Sequence, residues 1–258
     1  MKLLGKKALV TGGGAGIGRA ICEKLAGLGA SVMVADLNEI TAKEVASLLA
    51  APSGGKHAFC RMDVTQKQSV QSAVEYTAKT LGGIDILVNN AGVSTMQRVE
   101  NLTEEEWDFN FNVNIKGVFF VTQAALPYLK ESKGKIVNTA SMASIKAAPL
   151  LAHYSATKFA VLGFTKACAL EFAEYGITVN CTCPGYVKTS MQEREVIWEA
   201  GLRGMAPEAV LEEYHSLTPL GRLCTPEDVA KVVGFLASED ADYLTGEAIT
   251  VSGGGACK

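Results

Sequence analysis

Lys7-Ala8-Leu9-Val10-Thr11-Gly12-Gly13-Gly14-Ala15-Gly16-Ile17-Gly18 is the stretch that decides the fold. Its first five residues are a short apolar run ending in glycines, the pattern of a buried parallel strand. Helical periodicity follows from Ile17 to about Leu28, and Gly29 ends it. Glycines let the backbone turn sharply and approach a ligand closely. The helix N-terminus beyond them offers free N–H groups and a positive dipole end to a diphosphate. The strict spacing G-x-G-x-x-G is not met, because no three glycines fall at it. The spacing present is Gly12-x-x-x-Gly16-x-Gly18.

Outward from this turn the same unit repeats. Strands are predicted at Ser31 to Ala35, His57 to Met62, Ile84 to Val88, Lys135 to Thr139, Ile177 to Cys183 and Ala248 to Val251. Helices are predicted at about Glu39 to Leu49, Gln66 to Leu81, Glu104 to Leu129, Ala152 to Tyr175 and Pro226 to Leu236, with two helical pieces over Ser190 to Leu217. Residues 51–55, Ala51-Pro52-Ser53-Gly54-Gly55, read as a loop. Strict alternation implies an α/β chain with one doubly wound parallel sheet of about seven strands, helices on both faces and right-handed crossovers. No linker or change of composition divides the chain, so residues 1–258 read as a single domain.

Composition narrows the function. The net charge is −3, with 24 basic and 27 acidic residues, and no basic excess points to nucleic acid or an anionic membrane. No run of about 18 apolar residues suggests a membrane span. The N-terminus resembles no signal peptide, so a cytoplasmic protein is expected. The seven cysteines are odd in number and none are in C-x-x-C spacing. They read as small buried thiols of a reducing compartment, and no metal site is expected. Cys181 and Cys183 should share one face of their strand.

In a sheet of this kind ligands sit at the carboxyl ends of the strands. Asp36 closes the second strand, 18 residues after Gly18. There a carboxylate can bind a ribose 2′-hydroxyl, and would repel a 2′-phosphate. No cation stands at Ala15 or Leu37 to offset it, and Arg19 reads as solvated, so NAD is favoured over NADP. Asp63 with Val64 are placed to meet an adenine, and Asn89, Ala91 and Gly92 to border a ribose, unless they are ordinary strand-end turns. Tyr154 and Lys158 lie four residues apart, on one helix face. An ammonium beside a phenol favours the phenolate, so the tyrosine pKa is expected to fall from about 10 toward working pH. Alone the pair is also a common accident of helix spacing. His153 projects about 100° away from Tyr154 and is read as a rim or structural residue, His57 and His215 as structural.

Together these residues resemble the short-chain dehydrogenase/reductase family, a single-domain Rossmann fold, along nearly the whole chain. The matching set is Thr11-Gly12-x-x-x-Gly16-Ile17-Gly18, Asp63, Asn89-Asn90-Ala91-Gly92, Asn114, Ser141, Tyr154-x-x-x-Lys158 and Pro184-Gly185. The resemblance implies a catalytic tetrad. Tyr154 is its acid/base, Lys158 tunes it and binds the nicotinamide ribose, Ser141 holds the substrate oxygen, and Asn114 supports a water relay. It implies cofactor contacts from Gly12, Gly14, Gly16, Ile17, Gly18, Asp36, Asp63, Val64, Asn90, Ala91, Gly92, Tyr154, Lys158, Pro184, Gly185, Val187 and Thr189, the last holding the carboxamide. It also implies a homotetramer. The apolar residues around the helix after Tyr154 (Phe159, Leu162, Phe164, Ala167, Leu170, Phe172) fit a subunit contact, tetramer or dimer.

The partner is then a small alcohol or ketone. Residues 190–217 should form a lid over it, with Met191, Ile197, Trp198, Leu202 and Met205 facing substrate or packing the lid onto the body. The lid's acidic balance disfavours a polyanionic carrier. The carboxyl half looks most like NAD-linked sugar-alcohol (sorbitol- or galactitol-type) and vicinal-diol dehydrogenases. Oxidation of a hexitol to a ketose ranks first, a small diol or acetoin-type substrate second, and 3-oxoacyl-thioester reduction third. An NAD-sensing binding protein without turnover is the non-enzymatic rival, opposed by the complete tetrad. Thr225 reads as an N-cap with Pro226 at the first helical position.

Overall fold

The computed structural model describes residues 1–52 and 54–257. Ser53, in the predicted loop 51–55, and Lys258 lie outside the described residues. Among them run β1 (Lys7–Thr11), α1 (Gly16–Gly27), β2 (Ser31–Asp36), α2 (Glu39–Leu48), β3 (Ala58–Arg61), α3 (Lys67–Leu81) and β4 (Ile86–Asn89). The second half holds α4 (Glu104–Phe111), α5 (Gly117–Ser132), β5 (Lys135–Thr139), α6 (Ala152–Phe172), β6 (Thr178–Pro184), α7 (Ser190–Arg203), α8 (Pro207–Ser216), α9 (Pro226–Leu236) and β7 (Ala248–Val251). The strands form one seven-stranded sheet in the order β3-β2-β1-β4-β5-β6-β7, parallel throughout.

Both sheet faces are buried, as the continuous apolar runs require. Along β1, Ala8 and Val10 face the helices α1 and α9, while Leu9 faces α3 and α5. The strand order reverses direction between β1 and β4, so the segments leaving those two strands diverge and open a crevice at their carboxyl ends. No helix among the described residues is long and apolar enough to cross a membrane.

Three local features bear on the site. Thr225 caps α9 as predicted, in a full capping box with Asp228 and with Pro226 in the first turn. The predicted helix from Glu104 to Leu129 is not continuous: a π-helical segment, Asn112–Lys116, joins α4 to α5. A single π turn inside a long apolar helix has no sequence signature of its own, and such insertions concentrate at functional sites. Six cysteines are buried and Cys257 is exposed, and Cys181 and Cys183 share one cluster on one side of β6.

Candidate active site

The crevice is a cavity of about 820 Å³ running from the end of β2 to α7. At one end the turn after β1 is drawn too tight for a side chain at Gly12 or Gly18. A Cβ on Gly18 would lie 1.9 Å from the Gly12 carbonyl oxygen, and one on Gly12 2.8 Å from the Ala91 Cα. Gly12, Gly16, Ile17 and Gly18 line the cavity. No side chain caps α1 at Ala15, so its first N–H groups face the cavity without a side-chain acceptor. This cradle fits a diphosphate.

Gly14 does not line the cavity, contrary to its expected cofactor contact. It is turned against the start of α2, where a Cβ would meet Thr41 Oγ1 at 2.4 Å, and its N–H donates to Asp36 Oδ2 at 2.9 Å. The Asn38 N–H holds Asp36 Oδ1 at the same distance. Asp36 is thereby fixed at the cavity wall with acceptor capacity left over for a ribose hydroxyl. Arg19 is taken by Glu23 at 2.8 Å, away from this carboxylate. Asp63 and Val64 also line the cavity, and Asp63 Oδ1 accepts from the Thr65 N–H and hydroxyl.

Asn90, Ala91 and Gly92 line the middle of the cavity. Asn90 also has a scaffold role, because its Nδ2 donates to the carbonyls of Thr11 and Gly12 at 3.2 and 3.1 Å. It thereby ties the end of β4 to the glycine turn. Asn89 is withdrawn from the site, correcting the expectation that it borders a ribose. It is buried and its Nδ2 donates to Thr122 and Asn138 inside the sheet layer. Opposite, Pro184, Gly185, Val187 and Thr189 line the far wall. Thr189 reaches back to the first turn, with its Cγ2 3.4 Å from where a Gly16 Cβ would sit.

Ser141, Tyr154 and Lys158 meet at the centre, all lining the cavity. Ser141 follows β5, and its Oγ accepts from the Ala143 N–H, which fixes its rotamer at the start of a short helical turn. Its hydroxyl lies beside the Tyr154 phenol and favours the phenolate. Lys158 is buried, donates to the Thr139 carbonyl at 2.9 Å, and stands 5.5 Å from the Tyr154 ring centre. Asn114 sits behind them on the π turn rather than on the cavity wall. Its Oδ1 accepts from the Val93 N–H at 2.8 Å, while its Nδ2 donates to the Val93 carbonyl and to Thr157. A Cβ on Gly92 would come within 3.4 Å of Asn114 Oδ1 and 3.5 Å of Lys158 Nζ, so the two groups flank one glycine.

The expected fall in the Tyr154 pKa does not appear in this protein. Burial pushes the phenol well above its usual range, the Glu195 carboxylate pushes the same way, and only the Ser141 hydroxyl opposes them. Burial also brings Lys158 down to about 8. Desolvation dominates both groups, which helix spacing alone does not reveal.

His153 is not a rim residue. It is fully buried, with Nε2 2.6 Å from Thr95 Oγ1, so it is structural. His57 is structural as expected, bridging the Val32 N–H and the Ala50 carbonyl. Of the five apolar lid candidates only Met191 lines the cavity. Ile197 is 62% exposed and Trp198 37% exposed, while Met205 packs beside Val196 and Tyr214. The helices α7 and α8 are clamped by Arg203, which bridges Glu199 at 2.6 Å and Glu213 at 2.7 Å. Tyr214 stacks on Tyr186 with ring centres 4.0 Å apart and donates to Glu199. The polar lid residues Gln192 and Glu195 line the cavity and were not singled out by sequence. Their i, i+3 spacing was the available signal.

A seven-stranded parallel sheet with a dinucleotide cradle and a Ser–Tyr–Lys cluster defines a class, and the chain belongs to the short-chain dehydrogenase/reductase family of oxidoreductases. A family model described as enoyl-(acyl carrier protein) reductase matches residues 12–255. The chain is 45% identical over 255 residues to the L-2,3-butanediol dehydrogenase of Corynebacterium glutamicum, covering 97% of this chain and 98% of that one. It is 38% identical over 256 residues to an (S)-acetoin-forming diacetyl reductase of Staphylococcus epidermidis, covering 97% and 98%. Among solved structures, a 3-ketoacyl-(acyl-carrier-protein) reductase from Brucella melitensis complexed with NADH superposes with a TM-score of 0.87 at 33% identity, covering 98% of this chain and 99% of that one.

Proposed function

We propose that this chain is an NAD-dependent dehydrogenase that interconverts small vicinal diols and α-hydroxyketones. The observation that carries the reading is the single cavity that joins the Asp36-anchored glycine cradle to Ser141, Tyr154 and Lys158. NAD, when bound, supplies the hydride acceptor for the carbinol carbon. The protein's residues position and move the proton. Ser141 and Tyr154 hold the substrate oxygen between two hydroxyls, with Ser141 fixed by the Ala143 N–H. In oxidation the phenolate oxygen of Tyr154 accepts the hydroxyl proton, and in reduction the phenol returns it. Lys158, anchored on Thr139, places a cation beside the phenol below its pKa of about 8. Asn114 holds the turn at Val93 that carries Gly92 past Lys158, which supports a positioning role for the water relay.

The small diol displaces the hexitol as first choice because the relatives named above are a butanediol dehydrogenase and an acetoin-forming diacetyl reductase, at high coverage. Hexitol oxidation is the second reading, supported by the polar lid wall of Gln192 and Glu195. The test is kcat/KM with NAD across butane-2,3-diols, hexitols and, in reverse, acetoin and a 3-oxoacyl thioester. The diols and acetoin are expected to lead, and a thioester preference would overturn the reading. Asp36→Ala is expected to lower the NAD-to-NADP ratio of kcat/KM by roughly tenfold or more, since it removes both an acceptor and a repelling charge. An unchanged ratio would remove Asp36 from cofactor selection.

The chain is also proposed to work as a homotetramer in the cytoplasm. Phe159 and Leu170 of α6 are 45% and 83% exposed on the single chain, which supports a covering subunit. A stable monomer in sedimentation velocity would exclude it.

A further inference from the structure

The substrate end of the cavity holds a carboxyl group that the proton-transfer machinery does not use. Three acidic residues line the cavity: Asp36, Asp63 and Glu195. The first two are held at the ends of their strands, Asp36 by backbone N–H groups and Asp63 by Thr65. Glu195 enters from the opposite wall, on α7, one turn beyond Met191, which also lines the cavity. It lines the same cavity as Tyr154, and its charge raises the phenol there.

Around Glu195 the wall has more polar capacity than it uses. Ser94 Oγ leans on the carboxyl without forming a hydrogen bond of ordinary geometry, and Ser94 is 6% exposed. Gln192 lies three residues before Glu195 on the same helix face. It is also 6% exposed, and its Oε1 has no partner. Burial holds the Glu195 carboxyl above the usual carboxylate range, against the pull of Ser94 and of the neighbouring Arg194. Buried polar atoms without partners are destabilising, so an apolar wall would make a more stable lid. Ser94 does not line the cavity and stands behind Glu195, so the carboxyl is an acceptor on this wall that a ligand hydroxyl can reach.

We propose that Glu195, backed by Ser94 and Gln192, hydrogen-bonds the oxygen on the carbon next to the reacting one and so selects vicinal diols and hydroxyketones over simple alcohols and ketones. This rests on the functional reading above and sharpens it. The reacting oxygen lies between Ser141 and Tyr154, and the neighbouring hydroxyl donates to the carboxyl of Glu195. A mono-alcohol leaves that carboxyl dehydrated and unpaired when the cavity fills. Sites built to bond a substrate hydroxyl discriminate strongly for this reason.

The test compares butane-2,3-diol with butan-2-ol in oxidation, and acetoin with butan-2-one in reduction, for the wild type, Glu195→Met, Glu195→Gln and Ser94→Ala. Binding of NADH is measured by fluorescence in each variant. The diol-to-mono-ol ratio of kcat/KM is expected to fall about tenfold or more in Glu195→Met. Glu195→Gln, which keeps an acceptor, should recover part of it, and Ser94→Ala should fall less than Glu195→Met. A ratio within twofold of wild type in Glu195→Met, with NADH binding intact, overturns the proposal. If Glu195→Met fails to fold, an unchanged ratio in both Glu195→Gln and Ser94→Ala overturns it. A wild type that turns over only thioesters overturns the functional reading as well, whereas a wild type that prefers diols with an indifferent Glu195 overturns this proposal alone.

Discussion

Tyr154→Phe is expected to lower kcat for diol oxidation and acetoin reduction by roughly a thousandfold, while NADH still binds. The change removes one oxygen and leaves the ring, so the fold is not disturbed. It removes the hydroxyl that exchanges a proton with the substrate oxygen beside Ser141, whose own hydroxyl is a far weaker acid. The pH dependence should carry the same signature. Burial and Glu195 raise the phenol above its usual range, so in the free protein it is protonated at neutral pH. Below its pKa the phenolate fraction grows tenfold per pH unit. Oxidation, which needs the phenolate, should therefore rise with pH through the alkaline range, while reduction, which needs the phenol, is sustained at neutral pH. Lys158 is cationic below about 8 and loses that charge above it, so the rise in oxidation should be less steep beyond that point. Measuring kcat/KM in both directions against pH, for wild type and Tyr154→Phe, checks these statements. Turnover of Tyr154→Phe within tenfold of wild type would remove Tyr154 as the acid/base.

Gly18→Ala is expected to abolish dinucleotide binding, with affinity for NADH falling a hundredfold or more. The added Cβ would stand 1.9 Å from the Gly12 carbonyl oxygen and 2.6 Å from Asn90 Nδ2. Neither neighbour can yield cheaply. The carbonyl belongs to the turn itself, and Asn90 is the residue that ties that turn to β4. Overpacking of this kind usually costs about 1–3 kcal/mol of stability and shifts the backbone. Here the shift falls on the N–H groups at the head of α1. Calorimetric titration with NADH and a thermal melt of each variant give the two readouts. Gly27→Ala is the matched control, since a Cβ there meets nothing within 4 Å. Unchanged NADH affinity in Gly18→Ala would mean that the turn does not carry the diphosphate.

Much of this architecture was readable from sequence because both faces of a parallel sheet are buried. Its strands therefore appear as continuous apolar runs such as Ala8-Leu9-Val10, separated by helical periods of ordinary length. The cradle was readable because Gly12 and Gly18 have no substitute where the backbone closes on itself. What escaped the sequence depends on tertiary surroundings. The π turn at Asn112–Lys116 carries Asn114, which bonds Val93 and Thr157, inside a stretch that the sequence shows only as one long helix. The high phenol pKa of Tyr154 comes from burial by segments distant in the chain, against a lysine that local spacing makes look decisive. Gly14 and Asn89 sit in strand-end positions that look equivalent to their neighbours, and only the packing against Thr41 and Asn138 turns them away from the cavity. Glu195 was one acidic residue among several in an exposed-looking helix, and its position opposite Tyr154 follows from how α7 is clamped to α8.

The cavity is expected to perform hydride transfer from a carbinol carbon rather than to sense a nucleotide. The most direct measurement is the fate of deuterium placed on the carbinol carbons of butane-2,3-diol during incubation with the wild-type chain and NAD. The reduced nicotinamide, analysed by mass spectrometry, is expected to carry one deuterium, and Tyr154→Phe to form almost none of it. NAD binding by the wild type with no labelled product from diols, hexitols or hydroxyketones would contradict the account and leave a binding protein in its place.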